Sequence, residues 1–143
     1  ACTFSTANPM LSAVRGEQIL AGLERGLAPE FIRAELKVFR GAPVGRPAIS
    51  GLRVAYDPNA ESGARIQRAW VQGEPLNPQQ VYRVGHTDAE VINPHFPAGY
   101  LDLGEDQTLK IEVPTIVRET LEDYLRAHSP VTPPEMGRWV TEP

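Results

Sequence analysis

Fourteen prolines in a chain of 143 residues set a ceiling on how long any regular element can run. Each removes a backbone N–H and fixes φ, so it interrupts a helix interior or a central strand. Pro75 with Pro78, Pro94 with Pro97, and the run from Pro130 to Pro134 fall between segments of clear hydrophobic period, where they act as turn and loop punctuation. The chain therefore reads as short ordered pieces joined by marked turns.

The pieces themselves follow from periodicity. Asn8 to Val14 reads as a strand leading into Arg15-Gly16. From Glu17 the period changes: Ile19, Leu20, Leu23 and Leu27 share one helical face, Glu24 and Arg25 fall outside it, and Gly26 and Pro29 mark the end. A short helical turn is expected over Glu30 to Val38, with Phe31, Ile32 and Leu36 inward, followed by a Gly/Pro-rich loop from Gly41 to Pro47. Leu52, Val54 and Tyr56 alternate with Arg53 and Ala55 as in a half-buried strand, stopped by Asp57-Pro58-Asn59. Ile66 to Gln72 reads as the returning strand, with Ile66, Arg68, Trp70 and Gln72 on one side. Tyr82 to Gly85 starts another, so Ser50 to Asp88 is predicted to be a meander.

Glu90 to Gln107 has no period and is long for a loop, which favours a functional role. Leu109, Ile111 and Val113 predict a strand. Pro114 suits the first position of a helix whose stripe is Val117, Leu121, Tyr124 and Leu125, with Glu122 and Arg126 paired on the solvent side. Trp139 and Val140 supply a last strand. The expected fold is α+β: a mixed sheet of short strands packed against two main helices, one from Glu17 and one from Pro114.

Composition narrows the function classes. Apolar residues at 41% are enough for a core, so the chain is not disordered. A net charge of −4 without a Lys/Arg run argues against nucleic acid or an anionic membrane as partner. The longest apolar stretches fall far short of the ~20 residues of a spanning helix. Cys2 is the only cysteine, which excludes an internal disulfide and a thiolate zinc cluster and leans toward a reducing, cytoplasmic setting. The chain opens on Ala1 with nothing resembling a signal peptide, as expected of a processed product or an excised domain.

Three groups of residues could carry chemistry. His86 and Asp88 would share a strand face, and His95 could complete a metal set, although the spacing matches no metal motif; the alternative is a capping Asp88 beside solvated histidines. Asp102, Glu105 and Asp106 form an acidic turn that reads as a solvated face. Phe96-Pro97-Ala98-Gly99-Tyr100 places two rings on a loop, with Gly99 allowing close backbone approach. Such rings can sandwich a planar base, or Phe96 can plug the core beneath the loop. No Walker loop and no G-x-S-x-G elbow occurs.

Several short motifs in fixed order resemble one family. Val14-Arg15-Gly16-Glu17-Gln18-Ile19-Leu20 with Leu23-Glu24 resembles the segment that opens the C-terminal domain of 5′-nucleotidases. Ser50-Gly51-Leu52-Arg53-Val54-Ala55-Tyr56-Asp57-Pro58 resembles its "sGl...yDp" strand. Gly73-Glu74-Pro75-Leu76 is similar to its "G.pl" turn, and Tyr82-Arg83-Val84 to the strand after it. The family's G-G-D-G loop is missing at His86 to Pro94, with Ala89 near its first aromatic position. Phe96-x-x-Gly99-Tyr100 is instead similar to the F-x-x-G-Y of a bacterial subgroup, and the N-G-G-x-R phosphate loop is also missing.

The resemblance implies a substrate-recognition domain spanning residues 1–143. Catalysis would lie in an upstream metallophosphoesterase domain, in cis, that binds divalent metal ions; no cofactor is implied within these residues. The expected ligand is a nucleotide or another small phosphoester, held by Phe96, Tyr100, Gly99, Asp88 and Asn93, and the fragment alone would be inactive. Two other readings remain: an interaction module that kept the fold but lost nucleotide binding, and an autonomous metalloenzyme built on His86, Asp88 and His95.

Overall fold

The computed structural model describes residues 7–29, 46–92, 99–104, 111–112, 115–132 and 137–142. The elements in chain order are β1 (Pro9–Arg15), α1 (Gly16–Leu27), β2 (Leu52–Tyr56), β3 (Ile66–Val71), β4 (Glu74–Pro75), β5 (Val81–Thr87), β6 (Ile111–Glu112), α2 (Val117–His128) and β7 (Trp139–Thr141). A 3₁₀ turn at Asp88–Glu90 follows β5. The fold is α+β, with two helices and sheets of short strands among the described residues. The expected turn over 30–38 and the Gly41 loop up to residue 45 lie outside the described residues, as do Leu109, Val113 and Pro114.

The strands divide into two sheets, β5-β1-β6 and β4-β3-β2-β7. The predicted meander therefore breaks after β4. β2, β3 and β4 follow one another in antiparallel fashion, but β5 leaves them and pairs antiparallel with β1, from Pro9↔Thr87 to Arg15↔Val81. The β3–β4 turn, Gln72-Gly73, has φ of 52° and 93°, as a tight two-residue hairpin requires. β7 joins the second sheet parallel to β2, with Val54↔Trp139 in register, so this sheet is mixed.

A bulge explains why the Ile66–Val71 pattern alternates poorly. Ala55 pairs with Arg68 but Tyr56 pairs with Ile66, which leaves Gln67 as an extra residue. The bulge returns Ile66 to the core side, where it packs against the buried cluster, while Arg68 and Trp70 stay together on the outer face. The two-sided expectation for Ile66 is thereby corrected. Ala55 is also buried rather than solvent-facing, on a β2 that is flanked on both sides by β3 and β7.

The core joins the two sheets through α1. Val14, Ile19, Leu23, Val54, Val91 and Leu103 form its buried cluster, and Val14 and Val54 are fully enclosed. β1 runs straight into α1, whose first amides are taken by the β4–β5 connection: Gly16 N donates to Gln80 O and Glu17 N to Pro78 O, each at 2.9 Å. Glu24, outside the apolar stripe, fastens the helix to the β2–β3 connection. Its carboxylate accepts from the backbone N–H of Gly63, Arg65 and Ile66 at 2.9–3.1 Å and pairs with the buried Arg65 at 3.6 Å.

At the far edge of the second sheet, Glu142 holds Arg68, and chiefly through that hydrogen bond keeps the guanidinium pKa above the ordinary arginine value. α2 begins at Val117, three residues after Pro114, the expected first helical position. Val117 N donates to Ala7 O at 2.9 Å, so the chain before the helix is held to the strand side. None of its residues is fully buried.

Candidate functional site

The expected site residues are set out by β5, the 3₁₀ turn and the segment 99–104. β5 carries the chain to Thr87, where Glu90 Oε2 accepts from Thr87 N at 2.7 Å and closes the turn. Asp88 sits at its start. Its two carboxylate oxygens accept from Asn8 N at 3.2 Å and Asn8 Nδ2 at 3.1 Å, locking the entry of β1 to the exit of β5. Each oxygen keeps a second lone pair.

Segment 99–101 returns beside this turn. Tyr100 N and Leu101 N both donate to Glu90 O, and Ile92 N donates to Leu101 O, at 2.8–2.9 Å. A Cβ on Gly99 would lie 2.6 Å from Ile92 N and Val91 C. The space freed by the missing side chain is therefore taken by the chain's own backbone. Likewise a Cβ on Gly22 would lie 2.7 Å from Tyr100 O, so α1 and the Tyr100 segment touch through a glycine.

Tyr100 also lines a cleft of about 550 Å³, together with Glu17, Gln18, Ala21, Arg25 and Asp102, and with Ile92 and Gly104. The volume lies in the roughly 300–1,000 Å³ range of small-molecule sites. Gln18 braces the cleft by bridging elements: its Oε1 accepts from Arg15 N at 2.9 Å and its Nε2 donates to Asp102 O at 3.0 Å. Asp102 Oδ1 accepts from Gly104 N at 3.0 Å, and Glu17 pairs with Arg15 at 3.4 Å. The cleft thus combines one half-buried phenol ring with two exposed carboxylates and an arginine.

Of the five expected ligand residues, Tyr100 lines this cleft, Gly99 lies behind it, and Asp88 is engaged with Asn8. Phe96 and Asn93 lie outside the described residues. Glu17, Gln18, Ala21, Arg25 and Asp102 were not anticipated as lining residues. A signal existed, since Glu17, Ala21 and Arg25 recur at four-residue spacing on one helix flank.

Of the metal set on His86, Asp88 and His95, the two described members are engaged with other partners. His86 Nε2 lies 2.8 Å from Ser12 Oγ and its Nδ1 2.8 Å from Thr87 O, Asp88 is turned to Asn8, and His95 lies outside the described residues. Among the described residues no group of three His, Cys, Asp or Glu side chains converges, and no helix is long and apolar enough to cross a membrane.

Comparison with known proteins identifies the fold and the family. No curated protein sequence matches the chain. Among solved structures it is similar to the 5′-nucleotidase precursor from Thermus thermophilus, with 26% identity and a TM-score of 0.71 over 96% of this chain and 26% of that one. Two others share the fold: the sulfate thiohydrolase SoxB of Thermus thermophilus at 22% identity (TM-score 0.65, 94% of this chain, 22% of that one), and the NAD nucleotidase of Haemophilus influenzae at 15% (0.69, 96% and 25%). The chain thus spans about a quarter of these relatives' length. Residues 3–89, more than half of it, match the sequence profile described as 5′-nucleotidase, C-terminal domain. The chain belongs to the 5′-nucleotidase C-terminal domain family.

Proposed function

We propose that this domain binds the nucleoside end of a nucleotide, or of a related small phosphoester, beside Tyr100. Hydrolysis would be carried out by an upstream metallophosphoesterase domain of the same polypeptide. The observation that supports this most is the cleft of about 550 Å³ with Tyr100 in its wall, in a chain of this family. The ring offers a stacking face. Glu17 and Asp102 accept hydrogen bonds from hydroxyl or amino groups and disfavour a phosphate, so the ligand enters base-first with its phosphate directed outward.

In this reading Phe96 and Asn93 complete the pocket, with Gly99 letting the loop close against residues 91–92. Asp88 serves the ligand through its remaining lone pairs while holding Asn8. Divalent ions in the upstream domain would supply charge stabilisation at the phosphoryl group. The described residues here bind and orient, and hold no catalytic group.

Titration of the purified chain with AMP, UMP and a uridine diphosphate sugar, followed at the Tyr100 amide by NMR, tests the proposal. Saturable shifts that Tyr100→Ala weakens about tenfold are expected, in line with ~1–3 kcal/mol per stacked base. Absence of any nucleotide-dependent shift favours the non-catalytic interaction module, and turnover by the purified chain refutes the division of labour.

A further inference from the structure

Gln18 is the third residue of α1, where a Glu or Gln side chain commonly reaches back to the N–H of the residue before the helix. Its Oε1 does so, accepting from Arg15 N at 2.9 Å. A carboxylate would serve that bond as well and would suit the positive end of the helix dipole better. The amide does something a carboxylate cannot: its Nε2 donates to Asp102 O at 3.0 Å, 84 residues along the chain.

The two partners admit one orientation of this amide. Turned over, its N–H groups would meet the N–H of Arg15 and its oxygen the carbonyl of Asp102, so both bonds would be lost. Gln18 is thus a bridge of fixed polarity between the start of α1 and the segment 99–104.

One helical turn further on, Gly22 meets the same segment, since a Cβ there would lie 2.7 Å from Tyr100 O. Residues four apart share a helix face, so Gln18 and Gly22 together lay one face of α1 along Asp102 and Tyr100. The bonds from Tyr100 N and Leu101 N to Glu90 O tie the segment to the 3₁₀ turn instead of the helix. Gln18, Tyr100 and Asp102 all line the cleft, as do Glu17, Ala21 and Arg25.

We propose that Gln18 is a positioning residue for the ligand, acting through Asp102: its amide holds the Tyr100–Asp102 wall against α1 in the geometry the ligand needs. This role rests on the reading of the cleft as the nucleotide site. A wall already in place spares the ligand the cost of ordering it on binding. A glutamate in place of Gln18 would keep the bond to Arg15 N but set an oxygen against Asp102 O, whereas a methionine would lose both bonds.

Gln18→Glu and Gln18→Met in the whole chain separate this role from helix capping. Amide exchange at Arg15 reports the cap, NMR shifts at Tyr100 and Asp102 report the wall, and titration with AMP and with uncharged adenosine reports binding. Arg15 should stay as protected as in wild type in Gln18→Glu and exchange faster in Gln18→Met. Both variants should move the Tyr100 and Asp102 shifts in the free chain and weaken both ligands about fivefold, as expected for the loss of about one net hydrogen bond. Wild-type affinity for adenosine in Gln18→Glu overturns the role, and a loss confined to AMP then assigns the effect to charge repulsion. Unmoved shifts at Tyr100 and Asp102 overturn it as well. If the wild-type chain binds neither ligand, the reading of the cleft itself fails and the role with it.

Discussion

The two helices have the same length and each carries an apolar stripe, yet α1 buries six residues and α2 buries none. What separates them is access. α1 presents Gly16 and Gly22 where the carbonyls of Asn77 and Tyr100 lie against the helix, and Glu24 ties it to three amides of the β2–β3 connection. Among the described residues α2 is held to the rest of the fold by one backbone bond at its first residue, Val117 N to Ala7 O at 2.9 Å. Its Tyr124 is 50% exposed and stacks on His128 at 4.3 Å, and its charged residues pair with one another along the surface. Amphipathic patterning says which face a helix could bury; backbone contact and polar fastening decide whether it does.

The contrast can be broken by mutation. Leu23→Ala in α1 should cost about 2–5 kcal/mol of unfolding free energy, read from a denaturant midpoint, whereas Leu125→Ala in α2 should stay within about 0.5 kcal/mol. Comparable losses would mean that α2 is covered as thoroughly as α1. Glu24→Gln leaves the buried Arg65 without its counter-charge and weakens three amide bonds, and should cost about 1–3 kcal/mol by the same measurement. No change would reduce Glu24 to a bystander.

Gly22→Ala sharpens the link between helix and cleft. Its Cβ would crowd Tyr100 O, so a loss of about 1–2 kcal/mol should come with altered NMR shifts at Tyr100 and Asp102. The smallest effect belongs to α2: Arg126→Gln removes surface pairs to Glu122 and Asp123 and should cost only about 0.3–0.5 kcal/mol, less still in high salt.

What the sequence disclosed followed local rules. The change from strand to helix at Arg15-Gly16 was legible because the hydrophobic period switches within a few positions. The placement of β5 was not, since its partner is β1 and nothing between Ser50 and Asp88 announces a long-range pairing. The bulge at Gln67 blurred β3 for a related reason: one additional residue shifts Ile66 to the other face of the strand. The start of α2 slipped past Pro114 because a favourable first-turn residue does not fix where the turn begins.

The site divides the same way. Tyr100 was visible as a loop aromatic beside Gly99. Gln18 and Asp102 were not, because they reach the cleft from elements that meet only in three dimensions.

The parallel union of β2 and β7 bears on how the chain reaches this state. β2 can zip to β3 as soon as a short connection has emerged from the ribosome, but its other flank stays bare until Trp139 to Thr141 have been made. Val54 and Tyr56 then wait, half-assembled, while residues 57–138 are made. A pause or truncation late in synthesis would expose that flank, so the hairpin is where chaperone capture should concentrate.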